Sequence, residues 1–198
     1  MDGETLVGED FTDAVLAGRT WTKTTFEQCD FTEAELTRLV TEGCRFVDCD
    51  FTKADLGESR HTASAFQNCT FDRSVLTRAG FAGCSLMGSL FTHCRLRTWT
   101  IQETDLTMVG LGGADLRKLT LTGIRLREAN LNDADLRETD LREADLRGAR
   151  LLNTNFADAD LRGARLDANG LVQAKLFGAR VDLETALAFA GAHGLRVD

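Results

Sequence analysis

The chain of 198 residues contains no proline. Proline donates no hydrogen bond to a backbone ladder, so its absence suits a chain whose amides are committed to ladders throughout. No apolar run approaches the length of about 18 residues that a bilayer demands, which excludes a helical membrane span. The N-terminus, MDGETLVGED, lacks the basic and apolar regions of a secretory signal, so a cytoplasmic protein is expected. An excess of positive charge is missing too. The 23 Lys and Arg face 31 Asp and Glu, a net charge of −8, which argues against nucleic acid as a direct partner. There is no Gly-rich phosphate loop, no pair of carboxylates set for acid–base work and no nucleophile placed beside a base. Neither an enzyme nor a cofactor is therefore expected. The six cysteines form no CxxC and have no His at ligand spacing, so no metal site is expected.

What the chain does have is a period. Ala129 to Leu166 reads as a five-residue unit repeated without a break: a small residue, a polar one, Leu or Phe, then two more polar ones. Five residues match neither the helical period of 3.6 nor the strand period of 2, so the chain must turn a corner at every unit. That is the signature of a solenoid. Every fifth residue from Leu6 to Val181 keeps the phase, and these large positions hold Leu, Phe, Ile, Val or Trp except at Thr41 and His61. The position two before each is Ala, Ser, Thr or Cys, apart from Glu4, Glu9, Arg19, Leu39, Trp99, Val109, Leu119, Ile124 and Asn169. The large and small positions are expected to point inward and the other three outward. Gly falls two residues after the large position in 11 of its 18 occurrences, where a corner calls for positive φ. Four sides per coil give about 20 residues per turn, about nine coils and a rod of about 43 Å.

The irregular stretches carry further expectations. Glu4 and Glu9 at small positions predict that the first closed coil starts near residue 14, with Arg19 and Trp21 as a cap. All six cysteines, Cys29, Cys44, Cys49, Cys69, Cys84 and Cys94, sit at small positions and read as inert core thiols in place of Ala or Ser. Phe fills half of the large positions up to Phe91, and Leu most of those after it. Thr41 and His61 predict a local irregularity, with His61 hydrogen-bonded and partly buried rather than catalytic. Trp99, beside Arg95 and Arg97, predicts a bulge or kink.

The chain divides into a solenoid over 1–181 and a cap over 182–198. In DLETALAFAGAHGLRVD, Asp182 is the expected N-cap, Leu183, Ala186, Leu187 and Ala190 share a helical face, and Gly191 and Gly194 end the helix. Leu152, Val172 and Phe177 fall at outward positions near the same end. With Leu183, Leu187 and Phe189 they form an expected apolar patch for a two-fold homodimer contact.

Charge is distributed unevenly among the four sides. The side that carries Phe11, Phe31, Phe51 and Phe71 holds Glu9, Asp10, Asp13, Asp30, Glu33, Asp50, Asp72 and Asp133 against Lys53, Arg73 and Arg150. Asp10, Asp30 and Asp50 form one column, and like charges stacked at strand spacing are unfavourable. Glu9, Asp10, Asp13, Asp30, Glu33, Asp50 and Asp72 are therefore the candidate partner-binding residues. A column of Arg97, Arg117 and Arg137 lies on the next side.

The five-residue register resembles that of the pentapeptide-repeat family over nearly the whole chain. The stretches HTASAFQNCTFDR (61–73), GCSLMGSLFTHCRLR (83–97), LGGADLRKLTLTGIRLRE (111–128) and VDLETALAFAGAHGL (181–195) are similar to the gyrase-interacting, fluoroquinolone-resistance branch that lacks inserted loops. The resemblance implies an all-β fold, a right-handed quadrilateral β-helix with a short C-terminal α-helix. It also implies a homodimer joined at the C-terminal ends that binds DNA gyrase as a mimic of duplex DNA and modulates it. A structural repeat protein with another protein partner is the alternative.

Overall fold

The computed structural model describes residues 2–96 and 98–196. Its strands are three residues long: β1 (Thr5–Val7), β2 (Thr20–Thr22), β3 (Thr25–Glu27), β4 (Val40–Glu42), β5 (Arg45–Val47), β6 (Arg60–Thr62), β7 (Ala65–Gln67), β8 (Thr70–Asp72), β9 (Gly80–Ala82), β10 (Leu90–Thr92) and β11 (Thr100–Gln102). Each lies parallel to its counterpart in the next coil, as in Phe26↔Phe46 and Trp21↔Thr41. Four five-residue sides therefore close one coil, and the fold is a parallel β-solenoid.

The continuous strand stack, β2-β4-β6-β9-β11, is five coils deep, not the expected nine. Beyond Gln102 the same step from coil to coil continues only as isolated bridges, the last joining Asp160 to Arg180. The reason lies in how the chain turns its corners. At most corners the carbonyl of the large residue accepts the amide three residues on, as in Phe31 O from Ala34 N at 3.1 Å. The residue before that amide has positive φ, for example Glu33 at 58° and Gly163 at 71°. This is a type II turn, and it leaves only one residue per side free to bridge. Glycine suits that conformation, but Glu, Asp, Asn, Arg and Lys occupy it as well.

The corners after Leu6, Trp21, Phe26, Thr41, Phe46, His61, Phe66, Phe71, Phe81, Phe91 and Ile101 are open bends instead, and three-residue strands flank them. An open bend leaves the large residue's carbonyl without its turn partner inside the core, a cost of about 1–3 kcal/mol unless it is paired. The partner comes from the next coil. Cys44 Sγ lies 3.3 Å from Trp21 O, Cys49 Sγ 3.4 Å from Phe26 O, Cys69 Sγ 3.5 Å from Phe46 O, Cys84 Sγ 3.3 Å from His61 O and Ser89 Oγ 2.9 Å from Phe66 O. In every case the donor is the small residue at the equivalent corner one coil on. All six cysteines follow open bends, and all are free thiols. Register predicts them as substitutes for Ala or Ser by size; they also supply the S–H that Ala lacks. Burial drives the Cys69 and Cys84 thiols upward in pKa and Cys94 up to about 12.

The large side chains fill the axis. Phe11, Phe31, Phe51, Phe71 and Phe91 stack with centroids 4.6–4.9 Å apart and planes within 8°. Phe26, Phe46 and Phe66 form a second stack on the neighbouring side.

Several expectations are corrected. The first coil starts at the beginning of the chain, not near residue 14: Asp2 bridges Thr22 and β1 pairs with β3. Glu4 and Glu9 are tolerated because, among the described residues, no coil stacks above them, and their side chains are exposed. Thr41 and His61 cause no irregularity. They pair in register, and His61 Nδ1 meets Thr41 Oγ1 at 2.8 Å while Nε2 meets Ser59 Oγ at 2.9 Å. His61 is fully buried, and its ring stacks on Phe81 at 4.6 Å. Trp99 turns its corner normally and packs against Phe81 and Phe91, with Nε1 buried and without a partner among the described residues. Arg97 lies outside the described residues. One further break is marked in the sequence only by Asn169 at a small position: α1 (Ala168–Leu171) replaces a corner there, after which Lys175 resumes the ladder by donating to Thr154 O.

Candidate functional site

The acidic side is built by the same corner geometry. Asp10, Asp30 and Asp50 occupy adjacent rungs of one ladder, bridged in sequence. Each carboxylate turns back onto its own corner and accepts the amide two residues on, from Thr12 at 2.9 Å, Thr32 at 2.8 Å and Thr52 at 2.8 Å. The Thr12 bonds hold the Asp10 carboxyl below the usual carboxylate range, so it is ionised at neutral pH. Of the candidate acids, Glu9, Asp10, Asp13, Asp30 and Asp50 form no ion pair among the described residues. Glu33 meets Lys53 Nζ at 2.5 Å, and Asp72 lies 3.7 Å from Arg73 and 3.3 Å from His93. The structure thus separates the seven into five open carboxylates at the N-terminal end and two partly neutralised ones.

The rest of the rod is different. Asp115, Asp135, Asp140, Asp145 and Asp160 sit at the equivalent corner position, yet each is gripped by an arginine two residues on. Those bonds press Asp140 and Asp145 down to about 2. Arg117 and Arg137 therefore do not form an open basic column: Arg117 is shared by Asp115 and Asp135, and Arg137 binds Asp135. What sets the N-terminal strip apart is the residue after the large one. It is Thr12, Thr32 or Thr52 there and Arg in the later coils.

At the other end, α2 (Leu183–Ala192) begins at Asp182, whose side chain accepts from Thr185 N at 2.8 Å. His193 is the C-cap and Gly194, with φ 81°, follows it; Gly191 lies within the helix. The helix shows the solenoid a face containing Thr185 and Phe189, and Phe189 packs against the core rather than extending the outer patch. Leu183, Ala186 and Leu187 are turned to solvent instead. Phe177 is 86% exposed, Leu183 75%, and Leu152, Val172 and Leu195 are exposed around them.

A third feature escapes a linear reading of the sequence. Met87, Leu90 and Met108 are exposed at one corner of the mid-rod coils. Reading outward positions coil by coil exposes it. The column that starts Asp10, Asp30, Asp50 continues Thr70, Leu90.

No group of three or more His, Cys, Asp or Glu suited to a metal occurs among the described residues, and no helix among them is long and apolar enough to cross a membrane.

A side-chain-filled parallel solenoid with a patterned outer surface defines a class of repeat protein in which sides and corners carry the recognition. The chain belongs to the pentapeptide-repeat family. The family profile described as a pentapeptide repeat region matches residues 74–151, and that of pentapeptide repeats (8 copies) matches 10–39 and 144–180. The chain is 51% identical over 102 residues to the pentapeptide repeat protein MfpA of Mycobacterium tuberculosis. That match takes in 52% of this chain and 56% of MfpA, so the chain spans little more than half the length of that relative. Its fold is that of QnrB1, a plasmid-mediated fluoroquinolone resistance protein, at a TM-score of 0.86 and 23% identity over 98% of this chain and 99% of that one.

Proposed function

We propose that the protein binds DNA gyrase as a mimic of duplex DNA, modulates the enzyme and thereby confers fluoroquinolone resistance, acting as a non-enzymatic homodimer joined at the C-terminal ends. The observation that carries this reading is the open column of Asp10, Asp30 and Asp50, in a rod whose later carboxylates at the equivalent corner position are neutralised by arginine. Unpaired carboxylates on successive rungs present charge at a fixed spacing to a surface that binds phosphates. The likeness to MfpA supports the choice of gyrase as that surface. A DNA duplex carries one charge per about 1.7 Å, a density the strip does not reach, so the imitation is of shape with a local acidic edge.

The test is gyrase supercoiling and ciprofloxacin-induced cleavage with the protein titrated in. The wild type changes both. The triple variant D10N/D30N/D50N keeps a carbonyl oxygen to accept each Thr amide, so the corners survive while three charges go, and its half-effective concentration rises about tenfold or more. An effect unchanged in the triple variant moves the site elsewhere, and no effect of the wild type defeats the reading. One observation favours the alternative of a structural repeat protein with another partner: each of these carboxylates already has a structural task in its own corner. A pull-down that recovers a partner and no gyrase subunit would support it.

A further inference from the structure

Three successive coils share a corner without a single charge. Its residues are Gln67, Asn68, Cys69 and Thr70 in the first coil, Met87, Gly88, Ser89 and Leu90 in the second, and Thr107, Met108, Val109 and Gly110 in the third. Charged residues return in the coil on either side, at Asp48 and Asp50 and at Arg127 and Glu128. In a chain where 27% of residues are charged, this band stands out. Its three large apolar side chains are in the open: Met87 is 38% exposed, Leu90 51% and Met108 56%.

The backbone holds them there. The Met87–Gly88 turn is closed by Ser89 N to Leu86 O at 3.1 Å, and Gly88 adopts φ 72°. Leu90 lies over Gly110, where an added Cβ would come within 2.6 Å of Leu90 Cδ2. The corner is thus a fixed apolar ridge, and methionine at two of its three points adapts readily to an opposing apolar surface.

The ridge continues the acidic column. Leu90 occupies the same ladder position as Asp10, Asp30 and Asp50, two coils beyond the last, or about 10 Å at strand spacing. A partner lying along the carboxylates therefore reaches Leu90 and its neighbours next. We infer that the ridge of Met87, Leu90 and Met108 is the second half of the docking strip. Its partner is a protein surface in which a row of Lys or Arg side chains built to hold DNA phosphates runs directly into an apolar patch. Duplex DNA has no such ridge, so this contact distinguishes the protein from the nucleic acid it displaces. The inference rests on the gyrase reading above, and its chemistry is separable from that of the carboxylates. Apolar contact is insensitive to salt, whereas the acidic contact is screened.

The experiment measures binding of the full-length protein to whole gyrase by surface plasmon resonance between 50 and 300 mM salt. The variant L90S/M108S should bind about tenfold more weakly at every salt concentration, with the slope of log Kd against log salt unchanged. D10N/D30N/D50N should flatten that slope. L90M/M108L, which keeps the ridge apolar, should bind as the wild type does. A thermal melt of L90S/M108S matching the wild type shows that the coils are intact, since the substituted side chains are exposed. L90S/M108S binding within twofold of the wild type overturns the inference while leaving the gyrase reading standing. A wild type that does not bind gyrase at any salt overturns that reading itself, and this inference with it.

Discussion

A thiol at the small position does what a methyl group cannot. Cys69 fits the space that Ala fills elsewhere, and it also offers its proton to the carbonyls of Phe46 and Gln67, each at 3.5 Å. Cys69→Ala should therefore lower stability by about 1–3 kcal/mol in urea unfolding, the cost of an unpaired buried carbonyl. Cys69→Ser should cost less than half of that, because Ser74 and Ser89 already make the same bond from equivalent positions. His61 gives a second residue-scale prediction. Burial lowers its pKa from the ordinary 6.5 to about 3. The unfolded chain takes up a proton below pH 6.5 and the folded one does not, so the stability present at neutral pH is lost as pH falls toward 3. By pH 5 the loss is about 2 kcal/mol at roughly 1.4 kcal/mol per unit. H61F should lose that much less than the wild type between pH 7.5 and pH 5, since all other titrating groups are common to both. At this scale the sequence is only half legible. Register places the cysteines and His61 in the core and sets the size of each side chain, whereas the hydrogen-bond acceptor lies on a neighbouring coil, far away in the linear chain.

At the scale of the element, the N-cap of α2 is tied twice. Asp182 Oδ1 accepts from Thr185 N at 2.8 Å and Oδ2 from Gly163 N at 3.0 Å, so one carboxylate both starts the helix and fastens it to the last complete coils. Asp182→Ala should destabilise the helix by about 1–2 kcal/mol. The loss should be seen as an earlier melt at 222 nm, ahead of the solenoid transition, while D182N should retain much of the cap. The helix and its cap are visible in the sequence, yet its orientation is not. Leu183, Leu187 and Phe189 read alike as parts of one outward apolar patch, but the solenoid takes Phe189 against its core and leaves Leu183 and Leu187 exposed. The strands, too, are hidden. The period announces corners without saying which are closed turns and which are open bends. Ala never follows an open bend, but Ser and Thr do not mark one, since Ser59, Ser89, Thr139 and Thr154 follow closed turns. The start of the coil is obscured as well, because acidic residues at inward positions argue against a coil only when another coil covers them.

For the whole molecule, the two ends have opposite characters. The N-terminal coils bear open carboxylates, and the C-terminal end exposes Phe177, Leu183 and Leu187. Light scattering should give twice the 21.7 kDa chain mass for the wild type, and F177E/L183E should return the monomer without loss of secondary structure, because neither side chain is buried. A monomer in the wild type would leave the apolar end without its proposed role. Both end surfaces are legible, the acidic one by sorting residues by side and the apolar one by the loss of period after Val181. The mid-rod ridge is not, since Met87, Leu90 and Met108 are scattered in a linear reading and meet only when the chain is wound into its coils.

The bond from most open bends to a donor in the next coil also governs how such a rod can change length. Coils in the C-terminal half close their own turns, so a block of one whole coil there can be removed or duplicated and every corner remains complete. In the N-terminal half each coil is clasped by the next. Excising one there brings a different small residue beneath the orphaned carbonyl, and only Cys, Ser or Thr will serve. The rod is modular at one end and stitched at the other. The stitched end is the one that carries the acidic strip, and Cys44, Ser64 and Cys84, like Cys49, Cys69 and Ser89, keep a donor at the same position in successive coils.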